Sequence, residues 1–448
     1  MRLFGTDGIR AMVNRHPMTP ETVLRIGMAA ARLMREKHGR NMILIGKDTR
    51  LSGYLIESAL TSGICSMGMN VTLVGPLPTP GVAFLTRTLR LDAGIVISAS
   101  HNPFEDNGIK FFSSQGFKLP DELESKIEQL VLDDELLKNR PGGAEIGKAY
   151  RLDDATGRYI EYIKSTIPKG ITFEGMKIVV DSANGAAYKT TPWLLREMGA
   201  EVISLNDKPD GLNINNDCGS LNPERLKKAV IFHKADAGIA HDGDADRTIF
   251  CDEKGAIVDG DKVMGIWAVE MKLSGQLKHD TVVSTVMSNL GLEKYLETHG
   301  IRMIRTKVGD RYVVERMLSG GYNFGGEQSG HIVFLDHNTT GDGPLTAMQL
   351  LYLMKKRDSS LSKLSKDIKL FPQILLNVGV DQKLDIRKIP EIEYAVRSAE
   401  KRLAGRGRLL VRPSGTEPKI RVMIEGEDRR AIGKIGRDIA RVIKEKMG

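Results

Sequence analysis

The chain of 448 residues is short of cysteine, of aromatic residues and of long apolar runs, and each shortage excludes a class of protein. Its three cysteines, Cys65, Cys218 and Cys251, are odd in number and far apart, which argues against a disulfide framework and for a reducing cytoplasm. None stands in a Cys-x-x-Cys pair, so a zinc ribbon is excluded. Aromatic residues make up 5% of the chain, too few to stack the bases of a single nucleic-acid strand. No stretch approaches the roughly 20 apolar residues of a membrane span. The opening Met1-Arg2-Leu3-Phe4-Gly5 has no signal-peptide core. A cytoplasmic protein without a membrane partner is expected.

What is present fits a soluble globular protein, with 41% hydrophobic and 27% charged residues. The length suits three or four domains of about 100–150 residues each. Lys and Arg number 65 against 57 Asp and Glu, a net charge of +8. These basic residues are scattered among acids except near the C-terminus, and no nucleic-acid motif accompanies them. A small anionic substrate accounts for the excess, and no nucleic-acid partner is expected.

Along the chain, strands and helices alternate. Thr19-Pro20 opens a helix, with threonine as cap and proline in the first turn. Asn41–Gly46 and Asn70–Val74 read as buried strands, and Gly94-Ile95-Val96-Ile97 as a third that ends in Ser98-Ala99-Ser100-His101-Asn102-Pro103. The rhythm returns at Lys177–Asp181 and Glu201–Leu205, and again at Thr281–Thr285 and Ile301–Ile304. Asp236-Ala237-Gly238-Ile239 repeats Asp92-Ala93-Gly94-Ile95 letter for letter, at the same place in the order of elements. The reading is three related α/β domains with mixed, mostly parallel sheets, over residues 1–150, 151–253 and 254–370. A smaller α+β domain, 371–448, completes the chain around a central cleft. Functional loops belong at the carboxyl ends of such strands.

Four loops carry chemistry. Ser100 stands beside His101 in a turn of small residues, although a bare serine needs a base, a metal or a phosphoryl group to become useful. Asp242-Gly243-Asp244-Ala245-Asp246-Arg247 alternates carboxylates with small residues, a pattern that holds a hard divalent cation. It also opens like an EF-hand, with Glu253 at the twelfth position, but Arg247 occupies the sixth, where glycine is required. Magnesium is the better match, because it accepts a few carboxylates together with a phosphate oxygen. Gly325–His331 places Glu327, Gln328 and Ser329 on a glycine frame suited to sugar hydroxyls. Arg412-Pro413-Ser414-Gly415-Thr416-Glu417-Pro418, followed by Lys419 and Arg421, forms a plausible phosphate cradle.

Together and in this order, Ser98–Pro103, Asp242–Arg247, Gly326–His331 and Arg412–Pro418 resemble the four signature loops of the α-D-phosphohexomutases. The resemblance spans the whole chain. Phe4–Arg10, Gly211–Asn215, Thr306–Arg311 and Gln328 resemble the bacterial branch that acts on glucosamine phosphates. The branch acting on mannose and glucose phosphates is the alternative. His241 stands where an apolar residue is more usual, and Ala245 where glycine is common; neither departure removes a ligand.

The resemblance implies an isomerase that interconverts glucosamine 6-phosphate and glucosamine 1-phosphate, supplying UDP-N-acetylglucosamine and cell-wall precursor synthesis. It makes Ser100 the phosphoserine and a metal ligand, with Asp242, Asp244 and Asp246 completing the site for one Mg2+. Ser98 competes as nucleophile, but Ser100 matches the family's serine before histidine. Arg10 and Arg247 would hold the phosphoryl group and His101 would orient it. Arg412, Ser414, Gly415, Thr416 and Arg421 would bind the other phosphate, with Glu327 and Ser329 on the sugar. A hexosamine 1,6-bisphosphate serves as intermediate and activator. Lys110 and His331 are the acid/base candidates; Lys110 needs a lowered pKa, which nearby cations could supply, or else is a surface lysine pairing with phosphate. A homodimer is a possible assembly. An aspartate-nucleophile phosphatase is the rival of another class, and it would leave the serine loop idle.

Overall fold

The computed structural model describes residues 3–5, 7–35, 40–138, 140–381, 389–403, 405–413 and 419–448. Among them no helix is long and apolar enough to cross a membrane. The chain divides into two compact units, Met1–Val286 with Met303–Lys366, and Met287–Arg302 with Asp367–Gly448.

The first unit holds three α/β sheets. The first has seven strands in the order Phe4–Gly5, Gly8–Met12, Asp106–Ser113, Ala93–Ile97, Met42–Lys47, Asn70–Pro76 and Ala149–Arg151. Its centre is parallel, with Met42–Lys47 flanked by Asn70–Pro76 and Ala93–Ile97. The second runs Ile257–Val258, Thr248–Asp252, Ala237–His241, Lys177–Asp181 and Glu201–Leu205. The third runs Arg302–Thr306, Thr281–Thr285, Phe324–Gly326 and Ile332–Phe334. The expected α/β class is present, with one feature the strand–helix rhythm did not reveal. In each sheet the strand leading into a functional loop pairs antiparallel with the strand that leaves it. Ala93–Ile97 pairs with Asp106–Ser113, Ala237–His241 with Thr248–Asp252, and Phe324–Gly326 with Ile332–Phe334. The serine, aspartate and glycine-rich loops are therefore equivalent hairpin connections.

The repeated tetrapeptide has the same physical job twice. Asp92 Oδ2 accepts from the Met42 N–H at 2.7 Å, and Asp236 Oδ2 accepts from the Lys177 N–H at 2.8 Å. Each aspartate thus fixes the start of its strand against the parallel neighbour. The glycines let a helix press on the sheet: a Cβ on Gly94 would lie 2.3 Å from Thr86 Oγ1, and one on Gly238 2.6 Å from Val230 Cγ2. Those contacts come from the helices Thr79–Thr88 and Glu224–His233.

The second unit has the expected α+β composition. Its sheet is antiparallel, ordered Gln373–Gly379, Lys419–Gly426 and Gly407–Pro413. The helix Arg429–Met447 turns Ile432, Ile435, Ile439 and Ile443 inward in a stripe of helical spacing. The helix Leu290–Thr298 belongs to this unit. Buried Glu425 fastens the segment by accepting from the Leu290 N–H at 3.1 Å.

Candidate active site

Ser100 ends up where the sequence points, but in an unusual backbone state. Its φ is 53°, a left-handed conformation that costs a residue with a Cβ of order 1–3 kcal/mol and persists only where the surroundings enforce it. The turn aims the hydroxyl at the aspartate loop, and Ser100 Oγ donates to Asp242 Oδ2 at 2.5 Å. The approach needs Gly243, because a Cβ there would sit 2.5 Å from the Ser100 carbonyl oxygen. Ser98 points elsewhere: its hydroxyl is buried and donates to Asp48 Oδ2 at 2.6 Å.

The three aspartates converge, their carboxylate oxygens lying within 4.8 Å of one another, and all three are buried. Oδ1 of Asp244 and Oδ1 of Asp246 are buried without a hydrogen-bond donor. Burial, with Asp246 and Asp244 close by, pushes the Asp242 carboxyl well above the ordinary range. Oxygen donors only, two of them orphaned, and mutual repulsion all fit a hard divalent cation.

Lys110 departs from expectation. It is 1% exposed, so it is no surface lysine. Its Nζ lies 2.8 Å from Asp244 Oδ2, 3.3 Å from Asp7 Oδ2 and 3.4 Å from Asp246 Oδ2. Burial alone would lower its pKa, but Asp244, Asp7 and Asp246 outweigh it and hold the ammonium well above its usual value. The expected lowering by nearby cations is thus corrected, because carboxylates are its dominant neighbours.

The phosphate candidates surround the serine. Arg247 donates from a terminal guanidinium nitrogen to His101 Nδ1 at 3.2 Å, and His101 Nδ1 lies 3.3 Å from Ser100 Oγ. Burial and the cations Arg247 and Arg10 lower the His101 pKa to about 4, so the ring is neutral and can orient without adding charge. Arg10 is held by Asp7 at 2.8 Å and reaches Asn102 Oδ1 at 3.4 Å.

His331 is buried beside the aspartates, with Nδ1 3.7 Å from Asp246 Oδ2. The Gly341 N–H donates to Nε2 at 2.9 Å, as to a neutral ring, while Asp310 Oδ2 lies 3.3 Å from the same nitrogen. Burial works to lower its pKa, but Asp310 and Asp246 prevail and push it up. Asp310 also accepts from Lys118, which bridges to Asp7, each contact at 2.5 Å. Asp7, Lys118 and Asp310 are neighbours of the candidate residues that motif reading did not single out. The signal was available, since Asp7 and Asp310 lie inside segments that carry the family resemblance.

Glu327 and Ser329 share the glycine-rich loop, where Ser329 Oγ donates to Glu327 Oε2 at 3.5 Å and the Gly309 N–H to Glu327 Oε1 at 3.3 Å. In the second unit Arg412 and Arg421 are register partners on neighbouring strands. Burial and the Arg421 charge lower the Arg412 pKa, the mark of a paired cationic spot suited to an anion. Ser414, Gly415 and Thr416 lie outside the described residues.

A serine on a strained turn, an aspartate cluster and flanking cations thus meet in the first unit, and comparisons with known proteins give the class. Four profiles match in order: "Phosphoglucomutase/phosphomannomutase, alpha/beta/alpha domain I" over residues 1–138, domain II over 157–255, domain III over 259–371, and "C-terminal domain" over 375–442. The chain belongs to the phosphoglucomutase/phosphomannomutase family, isomerases of the phosphohexomutase superfamily. It is 56% identical over 447 residues to the phosphoglucosamine mutase of Citrifermentans bemidjiense, covering 100% of this chain and 98% of that one. It is 58% identical over 433 residues to that of Thermodesulfovibrio yellowstonii, covering 96% of each. Within the superfamily the chain therefore groups with the phosphoglucosamine mutases. The fold matches a phosphoglucomutase/phosphomannomutase family protein from Burkholderia thailandensis with TM-score 0.82 at 23% identity, over 99% of this chain and 97% of that one. An Aspergillus fumigatus N-acetylphosphoglucosamine mutase, solved with GlcNAc-6P and magnesium, matches with TM-score 0.67 at 18% identity, over 100% and 96%.

Proposed function

We propose that the chain interconverts glucosamine 6-phosphate and glucosamine 1-phosphate through phosphorylated Ser100 and a 1,6-bisphosphate. The observation that carries the reading is the Ser100 hydroxyl, fixed on its left-handed turn 2.5 Å from the aspartate cluster. The glucosamine preference rests on the 56–58% identity to phosphoglucosamine mutases, since Glu327-Gln328-Ser329 does not by itself distinguish sugars at the second carbon.

In the first transfer a sugar hydroxyl loses its proton as its oxygen bonds to phosphorus, and the phosphorus–Oγ bond to Ser100 breaks. The bisphosphate turns round, and in the second transfer Ser100 Oγ takes back the other phosphoryl group while the sugar oxygen regains a proton. Asp242, Asp244 and Asp246 would hold Mg2+, which when bound would neutralise charge on the phosphoryl group. Arg10 and Arg247 bind phosphoryl oxygens, and His101 orients them. His331, between Asp310 and Asp246, can hold or release a proton at Nδ1, because its Nε2 accepts from the Gly341 N–H. Lys110, an ammonium against Asp244, Asp7 and Asp246, holds a proton at Nζ beside the same cluster. Glu327 and Ser329 bind sugar hydroxyls, and Arg412 and Arg421 belong to the cradle for the phosphate not being transferred.

The test is phosphate-position exchange on glucosamine, mannose and glucose 6-phosphates with magnesium, using the native chain and Ser100→Ala. Fastest conversion of the glucosamine substrate, lost in the variant, is expected. Faster turnover of mannose or glucose phosphate would overturn the substrate assignment. Release of inorganic phosphate undiminished by Ser100→Ala would overturn the mutase reading.

A further inference from the structure

Lys47-Asp48-Thr49-Arg50 follows the strand Met42–Lys47, which runs parallel to Ala93–Ile97 with Lys47 opposite Ile97. Both loops therefore leave the sheet at the same edge, and the Asp48 N–H donates to the Ile97 carbonyl at 3.0 Å. Arg50 is 1% exposed and spends its guanidinium on the serine loop. One terminal nitrogen donates to the carbonyls of Ser100 and Asn102 at 2.9 and 2.8 Å. The other donates to the carbonyls of Asp106, at 3.1 Å, and Pro103. The remaining N–H, on Nε, goes to Asp48 Oδ2 at 2.9 Å. All five guanidinium donors are used, four on the Ser100–Asp106 segment.

The second half of the arrangement closes a ring. Asp48 Oδ2 also accepts from the Ser98 hydroxyl at 2.6 Å, and Ser98 Oγ accepts from the Ser100 N–H at 2.9 Å. One buried ion pair thus holds the Ser100 peptide at both its N–H and its carbonyl. Asn215, from the other side, donates through Nδ2 to the carbonyls of Ser100 and Asn102 at 2.9 and 3.1 Å. That gives a job to the Gly211–Asn215 segment.

From this geometry we infer that Asp48, Arg50, Ser98 and Asn215 are positioning residues that hold the phosphoserine turn in its left-handed conformation. The inference rests on the reading that Ser100 carries the phosphoryl group. Two transfers at opposite ends of one intermediate require Ser100 Oγ to return to the same place each time, and a flexible turn would not provide that. The hydrogen bonds of these residues named above go to the serine loop and to one another, so they act through Ser100. Their effect is on the rate of transfer and not on sugar binding.

Ser98→Ala and Asn215→Ala carry the test, because each removes one side chain with its two hydrogen bonds and leaves the Asp48–Arg50 pair in place. Purified full-length chain with Ser100 phosphorylated is mixed with magnesium and glucosamine 6-phosphate, and loss of the phosphoryl group is followed by intact mass in a single turnover. Each variant should transfer roughly 10- to 100-fold more slowly, the range a misplacement near 1 Å produces, with KM within about twofold of native. Melting curves taken in parallel confirm that the measured chains are folded. Ser100→Ala, beside them, tests the underlying reading. If Ser100→Ala is dead while Ser98→Ala and Asn215→Ala transfer at the native rate, positioning is overturned and the nucleophile stands. A loss that appears wholly in KM also overturns it. If Ser98→Ala is dead and Ser100→Ala active, the nucleophile assignment itself has failed.

Discussion

Ala245 in the aspartate loop and His241 at the end of the strand before it are the two departures from the pattern the resemblance implies, and the structure gives each a measurable consequence. Ala245 has φ of 56° and is buried, so its Cβ is held in the left-handed region where glycine is comfortable. Relief of about 1–2 kcal/mol of strain outweighs the roughly 0.4–1 kcal/mol that glycine loses through a freer unfolded chain. Ala245→Gly should therefore stabilise the protein by roughly 0.5–1 kcal/mol in denaturant unfolding, and a loss of stability would show that the Cβ contacts matter more. His241 is wholly buried, with Nε2 2.9 Å from Thr191 Oγ1 and Nδ1 3.2 Å from the Arg247 carbonyl. Burial lowers its pKa from 6.5 to about 4, so the folded chain keeps the ring neutral while the unfolded chain protonates it. Stability from this group is complete above pH 6.5 and is lost as pH falls toward 4, by about 3 kcal/mol in all. Unfolding curves at pH 7, 6 and 5 should show that decline, and His241→Leu should flatten it while lowering stability at pH 7 by leaving Thr191 and Arg247 unpaired.

At the scale of elements, the sheet of the second unit depends on a buried carboxylate. Glu425, in the middle strand, accepts from Arg408 at 3.0 and 3.2 Å, from Gln373 at 2.8 Å and from the Leu290 N–H at 3.1 Å. Three segments distant in sequence thus converge on one side chain. Removing one member of a buried pair costs about 3–5 kcal/mol, and the partial exposure of Arg408 reduces that to roughly 2–3 kcal/mol. Glu425→Ala should lose that much, and hydrogen exchange should show it as lost protection in 287–302 and 407–426. Protection in Lys177–Asp181, in the first unit, should stay as it was. A uniform loss across both units would mean that the effect is not local.

For the whole molecule, a cation held by the three buried aspartates would link metal binding to folding. A cation that binds only the folded chain stabilises it by about 2.7 kcal/mol at a hundredfold excess over its dissociation constant. Adding magnesium to chelator-treated protein should raise the melting temperature, and Asp244→Asn should blunt the rise. Equal melting temperatures with and without magnesium would count against the aspartate cluster as the metal site. The readout does not depend on turnover, so it separates metal binding from the later steps.

The order of elements, the α/β class, the repeat of Asp92–Ile95 at Asp236–Ile239, and the candidacy of Ser100 and the aspartate loop were all legible in the sequence. They depend on local signals: apolar strand runs, capping residues, and carboxylates alternating with small residues. The family resemblance extended that reading to the four loops. What only the tertiary structure decided is which charges meet. Lys110 reads as a lysine that cations could deprotonate, yet folding brings Asp7 and Asp244 to it from 103 and 134 positions away along the chain and keeps it an ammonium. Ser98 and Ser100 are hard to separate by pattern, and the Asp48–Arg50 pair, some 50 residues upstream, turns one inward and presents the other. Propensity and periodicity act within a few residues, whereas protonation and side-chain orientation depend on neighbours that only the packed sheets bring together.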